Sequence, residues 1–432
     1  MGRNVSIATG LLLSLTLADG AGAENVATRW VSHALGTGRA VNASTQAAGR
    51  VYAMTTVAMY DAVNGIERER HQSDRDQALV PSDGAPINGH REAAAAAAAH
   101  KVLVMLFPAR AAVLDPALAA ELEAIGGESN PTVVRGRDWG AHIGEQVVSL
   151  RSADGTQTAE TQPGGSGPGE FPRPFTGAQF RNMTPFGVAS IDPYGSPGPP
   201  ALSSAEYAAA FNEVKQLGSI ADPDAERAAI GRHWQAEGNT ARETGLWLKA
   251  ALDIVERQGT VDSLSKTVRL FALLGMGTAD AVAASWTTKY QYHFWRPGDA
   301  IRNASSDGNS DTEEDGSWNP RAGAGNFGGT PEHMSGSATF GGAASTILRG
   351  FYCRDDVAFS FAGELGTPPR SYTSFSQAAN EAGRSRIFNG IHFQFSNVRG
   401  RQAGDGIGNE IVNTRLRRAG PCHGIHCVCP QL

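Results

Sequence analysis

Apolar residues recur along most of the chain at the three-and-four spacing of one helical face, and no stretch alternates long enough to mark a convincing strand. Ser44 and Thr45 precede a segment whose Val51, Met54, Val57, Ala58 and Val63 share a face, with Gly65 as its expected stop. Arg91 to Phe107 holds a run of seven alanines and ends before Pro108. Asp115-Pro116 places a cap and a first-turn proline ahead of a helix closed by Gly126-Gly127, and Trp139 to Leu150 continues the pattern. From about Asp154 to Ala201 the periodicity vanishes into Gly and Pro, the composition of a long surface loop or connection. Ser203 and Glu206 have the spacing of a capping box. Helical pattern then covers Pro223–Glu237, Leu246–Gln258, Asp262–Tyr290, Ser335–Leu348, Phe375–Ile387 and Gly404–Arg417, broken by a second irregular stretch from Asn303 to Thr330. The fold class predicted is all-α: two bundle-like halves joined near residue 200, with long irregular loops.

Composition changes this picture in two places. Among 432 residues, 41% are hydrophobic and 19% charged, which suits a globular chain rather than a disordered one. A net charge of −6 excludes a generally basic nucleic-acid binder but not a local basic pocket. The first residues read as an export signal: Arg3, the apolar stretch Val5–Ala18, then Ala21-Gly22-Ala23 before Glu24. The expected location is therefore secreted or periplasmic. No later uninterrupted apolar stretch of membrane-spanning length is evident, so no membrane span is expected. Four cysteines, Cys353, Cys422, Cys427 and Cys429, would meet an oxidising compartment. Disulfides are the favoured use, with three possible pairings. A metal site using His423 and His426 is the alternative. The expected organisation is 1–23 signal peptide, 24–200 N-terminal helical region with its Gly/Pro-rich linker, 201–415 C-terminal bundle, and 416–432 Cys-rich tail.

Three C-terminal stretches gather basic and hydroxyl groups. Lys289 and Arg296 lie seven apart, two turns along one helical face, with Pro297 ending the segment. Met334-Ser335-Gly336-Ser337 is a small-residue turn opening a helix, with free N–H groups and the positive end of the dipole. Ser385-Arg386 and His392 form the third stretch. Guanidinium forks, an ammonium, a hydroxyl and a helix N-terminus suit a tetrahedral oxyanion, and a histidine facing its central atom can be nucleophile or ligand. Taken singly each piece has an ordinary explanation: a solvated helix face, a cap, a core histidine.

In order and spacing the three stretches resemble the vanadium-dependent haloperoxidases, which share a superfamily with the type 2 phosphatidic acid phosphatases. The exported bacterial branch is the nearest in texture, through Ala58–Asn64, Ala97–Pro108, Pro199–Ser204, Phe211–Lys215 and Phe294–Pro297. The resemblance covers roughly residues 25–415. It implies that Lys289, Arg296, Ser335, the Gly336 amide and Arg386 hold the oxygens of vanadate, with His392 as the metal's axial ligand and the site at one end of the C-terminal bundle. It implies hydrogen peroxide and halide as substrates, with a small organic acceptor possible. Two positions depart from the family pattern. Ser337 stands where the acid–base histidine is usual, and Ser396 where an acidic residue normally orients the axial histidine. His333 and His293 are the candidate substitutes for the missing acid–base group, and His333, Lys289, Ser337 and His392 complete the candidate catalytic set. The function expected is a haloperoxidase-like enzyme, attenuated by the serine at 337. An exported acid phosphatase working through a phospho-histidine, or a non-catalytic oxyanion-binding homologue, are the alternatives.

Overall fold

The computed structural model describes residues 24–417. The export-signal residues 1–23 and the cysteine tail from 418 onward lie outside the described residues. Thirteen α-helices appear among the described residues. The first five are α1 (Val26–Ala40), α2 (Thr45–Glu69), α3 (Arg91–Leu106), α4 (Ala111–Ala124) and α5 (Pro131–Leu150). After the irregular stretch come α6 (Ala205–Leu217), α7 (Ala225–His233), α8 (Arg242–Arg257), α9 (Leu264–Tyr292) and α10 (Pro297–Arg302). The last three are α11 (Gly336–Tyr352), α12 (Phe375–Phe388) and α13 (Gln394–Thr414). The all-α expectation holds.

The principal core draws on both sides of residue 200. Helices α2 and α9 pack on each other at its centre, α3 and α5 cover α2, and α11 and α13 cover α9. Helix α9 is the one described helix long and apolar enough to cross a membrane, and it is spent instead as the buried axis of this core. A smaller aromatic cluster, Tyr207, Phe211, Phe294, Trp318 and Phe393, seals α6 and α10 against the segment that carries His392.

Several boundaries differ from the sequence expectation, each for a physical reason. Gly65 does not stop α2, which runs on to Glu69. A Cβ there would meet the Trp139 ring at 3.0 Å, so this glycine admits an aromatic neighbour from α5. Asp115-Pro116 does not start a helix: α4 begins four residues earlier and carries Pro116 inside it. The cap of α6 is Ser204, accepting from the Tyr207 amide, rather than Ser203. An antiparallel hairpin, β3 (Phe359–Ala362) with β4 (Pro369–Tyr372), turns through Gly366 and buries Phe359 and Phe361. A two-residue pair, β1 (Thr161–Gln162) with β2 (Phe175–Thr176), interrupts the first irregular stretch.

Candidate functional site

Helix α9 ends because His293 takes a left-handed conformation (φ 44°), its amide closing on the Lys289 carbonyl. The next residues run extended against Gly169–Phe171, and Arg296 then caps α10, with Pro297 at the first helical position. Lys289 and Arg296 therefore do not share a helical face, and Pro297 starts a helix rather than ending one. The two cations meet because the chain turns back on itself between them. Asp299, clamped by both Nη atoms of Arg173 at 2.7 Å, accepts the Arg296 amide and fixes that turn.

The guanidinium of Arg296 is 4% exposed and held on three sides. Its Nε donates to the Thr330 carbonyl at 2.7 Å, Nη2 to the Thr330 hydroxyl at 2.9 Å, and Nη1 to the Ile391 carbonyl at 2.6 Å. Gly328 (φ 89°) lets the preceding loop lie on the guanidinium plane, since a Cβ there would sit 2.9 Å from Cζ. Lys289 donates to the carbonyls of Pro331 and Glu332, which leaves one ammonium proton for a ligand. Burial, and then the charge of Arg296, push its pKa well below the ordinary lysine range. Burial also lowers Arg296, to about 10. An anion among these groups would reverse both tendencies.

Ser335 caps α11, its hydroxyl accepting from the Ala338 amide, so Gly336 and Ser337 form the first turn. Arg386, on the last turn of α12, has few partners. Its Nη1 reaches the Trp234 carbonyl at 3.4 Å, its Nη2 lies 3.8 Å from Glu243, and its buried Nε has none. His392 follows α12. Its Nδ1 lies 2.8 Å from Glu332 Oε1, and its Nε2 lies 3.0 Å from Arg296 Nη1. A carboxylate on Nδ1 and a guanidinium donor on Nε2 assign the proton to Nδ1 and a lone pair to Nε2. Burial and the neighbouring Arg296 and Lys289 charges push His392 well below the usual histidine range, so the ring is neutral.

These groups open on one cavity of about 440 Å³, lined by Lys289, Arg296, Gly336, Ser337, Arg386 and His392. Its wall also takes in Ser44–Gln46 at the start of α2, Glu237 and Glu243, Trp286 and Phe340, and Asn326 and Gly328–Thr330 of the second irregular stretch. That stretch therefore lies at the cavity rather than away from it. Ser335 itself is fully buried behind the turn and presents no side chain to the cavity.

His333 and His293 do not line the cavity, so neither stands in for a histidine at 337. His333 bonds Ser196 Oγ at 2.6 Å between the Tyr292 and Phe395 rings, and burial lowers it to about 3. His293 packs edge-on to Phe171. The weak orienting role expected of Ser396 is also corrected. His392 is oriented by Glu332, which is fully buried and also accepts the Phe393 amide. Ser396 instead offers its backbone carbonyl to the Ser335 amide. Burial pushes the Glu332 carboxyl up to about 7, against the opposing charge of Arg296. A glutamate amid the apolar and turn residues around 331–336 was the one available sign of this role, but its partner lies sixty residues further on.

Residues 269–419 match the family model of the VCPO second helical-bundle domain. None of the curated proteins compared matches the sequence. Among solved structures, the first bacterial vanadium-dependent iodoperoxidase superposes with a TM-score of 0.75 at 22% identity, covering 90% of this chain and 95% of that one. The apo form of a bacterial vanadium-dependent chloroperoxidase gives 0.61 at 14% identity over 86% and 93%, and a holo form 0.60 at 16% over 87% and 96%.

Proposed function

We propose that the chain is a member of the vanadium haloperoxidase superfamily and a vanadate-dependent haloperoxidase oxidising a halide with hydrogen peroxide. The observation that carries this is the convergence of Lys289, Arg296, Arg386 and His392 on one cavity, with the buried Nε of Arg386 unpartnered. A donor set of three cations, a helix N-terminus and one nitrogen lone pair fits a tetrahedral oxyanion carrying a Lewis-acidic metal. Arg296, Arg386, Lys289 and the Gly336 amide would hold its oxygens, and His392 would hold the metal. Vanadate bound there supplies a Lewis acid that activates hydrogen peroxide without changing its own redox state.

The chain's own residues supply binding, orientation and proton handling. Glu332 keeps the His392 proton on Nδ1, so Nε2 keeps its lone pair, which here accepts from Arg296 Nη1 and would turn to the metal when vanadate binds. Ser337 cannot exchange a proton near neutral pH. Glu243 is the cavity carboxylate beside Arg386, and Thr45 Oγ1 donates to its Oε2 at 2.8 Å. That leaves Oε1 to accept a proton from incoming peroxide. The acid phosphatase and pure oxyanion-binding readings use the same cradle, so one paired assay separates all three. Bromide oxidation with peroxide after vanadate loading supports the haloperoxidase. Phosphomonoester hydrolysis in vanadate-free buffer supports the phosphatase. Competitive vanadate and phosphate binding with neither activity supports a binding protein. Location outside the cytoplasm, in the periplasm or medium, belongs to the same proposal and is checked by fractionation.

A further inference from the structure

The Arg296 guanidinium takes its orientation from a segment with little rigidity of its own. Its Nε and Nη2 both donate to Thr330, and Gly328 lies on its plane. Thr330 ends a strap in which four of the seven residues 323–329 are glycine. Gly323, Gly325 and Gly328 take positive φ, 135°, 72° and 89°, and a Cβ on Gly325 or Gly329 would meet nothing within 4 Å. Glycine backbone loses the most conformational freedom on ordering, so such a strap keeps one shape only where something outside it holds it. Its first end is tied down. The Ala322 amide donates to the Asn389 carbonyl at 3.0 Å, and Arg321 Nη1 donates to the Phe388 carbonyl at 3.0 Å.

Phe327 is the one large apolar side chain between residues 323 and 329. It does not line the site cavity, although Asn326, Gly328 and Gly329 on either side of it do. Its ring lies instead on Gly298, so close that a Cβ there would sit 2.2 Å from Cδ1 and 2.6 Å from Cε1. The Arg302 guanidinium stands 4.8 Å from the ring centroid, within cation–π range. That guanidinium is itself fixed by the Trp318 carbonyl and Asn319 Oδ1, both at 2.8 Å. Gly298 and Arg302 belong to α10, the helix that Arg296 caps. Gly298 sits in the first helical turn without a positive φ, so what its missing Cβ provides is the seat for the ring. Phe327 thus fastens the strap to the same short helix that fixes the Arg296 backbone.

We propose that Phe327 is a positioning residue for Arg296. By clamping the strap to α10 it keeps Gly328–Thr330 against the guanidinium, so the fork meets an incoming oxyanion already oriented. Without the clamp the glycines free the strap, and the two Arg296 donors held by Thr330 lose their fixed acceptors. The guanidinium must then be ordered as the anion binds, which costs affinity. The inference rests on the reading of the cavity as an oxyanion cradle. It goes beyond that reading by assigning a residue that does not line the cavity.

The test titrates the full-length protein with orthovanadate and with inorganic phosphate, and measures amide exchange without ligand. Phe327→Ala should weaken both anions about tenfold. Exchange should quicken at residues 323–330 while α9 and α11 keep wild-type protection. Phe327→Leu keeps much of the bulk but cannot lie flat on Gly298. It should fall between wild type and alanine, and it decides the matter if the alanine variant does not fold. Gly298→Ala should reproduce the loss, because its methyl takes the ring's place. The double variant Gly298→Ala/Phe327→Ala should bind no worse than Phe327→Ala alone, a non-additivity that a general loss of stability does not produce. Undiminished affinity in the Phe327 variants, or full additivity in the double variant, overturns the proposal and leaves the cradle reading standing. A wild type that binds neither anion overturns both.

Discussion

Three buried carboxylates divide the molecule into two kinds of region. Asp61 on α2 and Asp280 on α9 are both fully buried inside the central helix pair. Each accepts three backbone amides from a loop: Ala78, Leu79 and Val80 at 2.6–2.9 Å for Asp61, and Phe186, Gly187 and Val188 at 2.6–2.9 Å for Asp280. Glu332 is equally buried, but one oxygen holds His392 and Phe393 while the other has no partner. Burial raises all three, to about 7, about 6 and about 7, so the shift does not tell them apart. Saturation does, in part. The two aspartates spend their acceptor capacity on tying loops to the core. Arg386 keeps its buried Nε unspent at the cavity, and Glu332 keeps one oxygen unspent behind His392. An orphaned group alone is not enough, since both nitrogens of His233 are also unpartnered in a closed aromatic cluster.

The comparison predicts opposite phenotypes. Asp280→Ala leaves three buried amides without acceptors and should cost roughly 3–5 kcal/mol of stability, and Asp61→Ala, whose loop amides at Ala78 and Leu79 are only half-buried, should cost less. Urea denaturation measures it, and the fraction that stays folded should bind vanadate as wild type does. A loss of affinity without a loss of stability would put these aspartates in the site. Arg386→Ala should do the reverse. Its bonds to the protein are long, so Tm should move by only a few degrees, whereas vanadate affinity should fall on the order of 10²–10³-fold. Equilibrium titration with vanadate, and competition by phosphate, reads this directly.

Ser337→His sharpens the division between holding the anion and handling its proton. The side chain stands on the first turn of α11 at the cavity wall. If proton transfer limits turnover, a histidine there should raise bromide oxidation on the order of 10²-fold at matched vanadate occupancy. No gain, together with a large loss in Glu243→Gln, would show that Glu243 already performs the transfer. Glu332→Gln keeps the hydrogen bond to His392 but removes the charge behind it, and should weaken vanadate binding about tenfold. Glu332→Ala should weaken it further, because the ring then loses its orientation as well.

The local part of this architecture was legible in the sequence and the long-range part was not. Helix cores showed through their periodicity, and the order of Lys289, Arg296, Ser335-Gly336, Arg386 and His392 carried the cradle. What escaped depends on contacts between distant segments. Gly65 looks like a stop until Trp139 is brought against it. Lys289 and Arg296 look like one helical face until His293 turns left-handed. The Phe359–Tyr372 hairpin has only four-residue strands, too short for alternation to stand out. Glu332 and His392 are joined only by the fold, so the family resemblance, which places the orienting residue at Ser396, did not reach Glu332.

The smallest effect at the site belongs to His333→Gln. The sequence offered His333 as a proton-handling group, and the structure places it behind the cavity wall on Ser196. Vanadate affinity and bromide oxidation should therefore stay within about twofold of wild type. The variant should differ instead in acid. Burial, with the charges of Lys289 and Arg399, holds His333 down to about 3, below its unfolded value near 6.5. Between those two values the unfolded chain binds a proton that the folded chain refuses. Wild-type stability is thus undiminished by this group above pH 6.5 and declines as pH falls toward 3, by at most about 1.4 kcal/mol per pH unit. Glutamine has no such proton, and its amide can still meet the Ser196 hydroxyl. Denaturation curves at pH 7 should nearly coincide, and the variant should lose less stability than wild type between pH 6.5 and 4.5. Parallel acid slopes would mean that His333 is protonated in the native protein. A fall in bromide oxidation with vanadate binding intact would return His333 to the proton path.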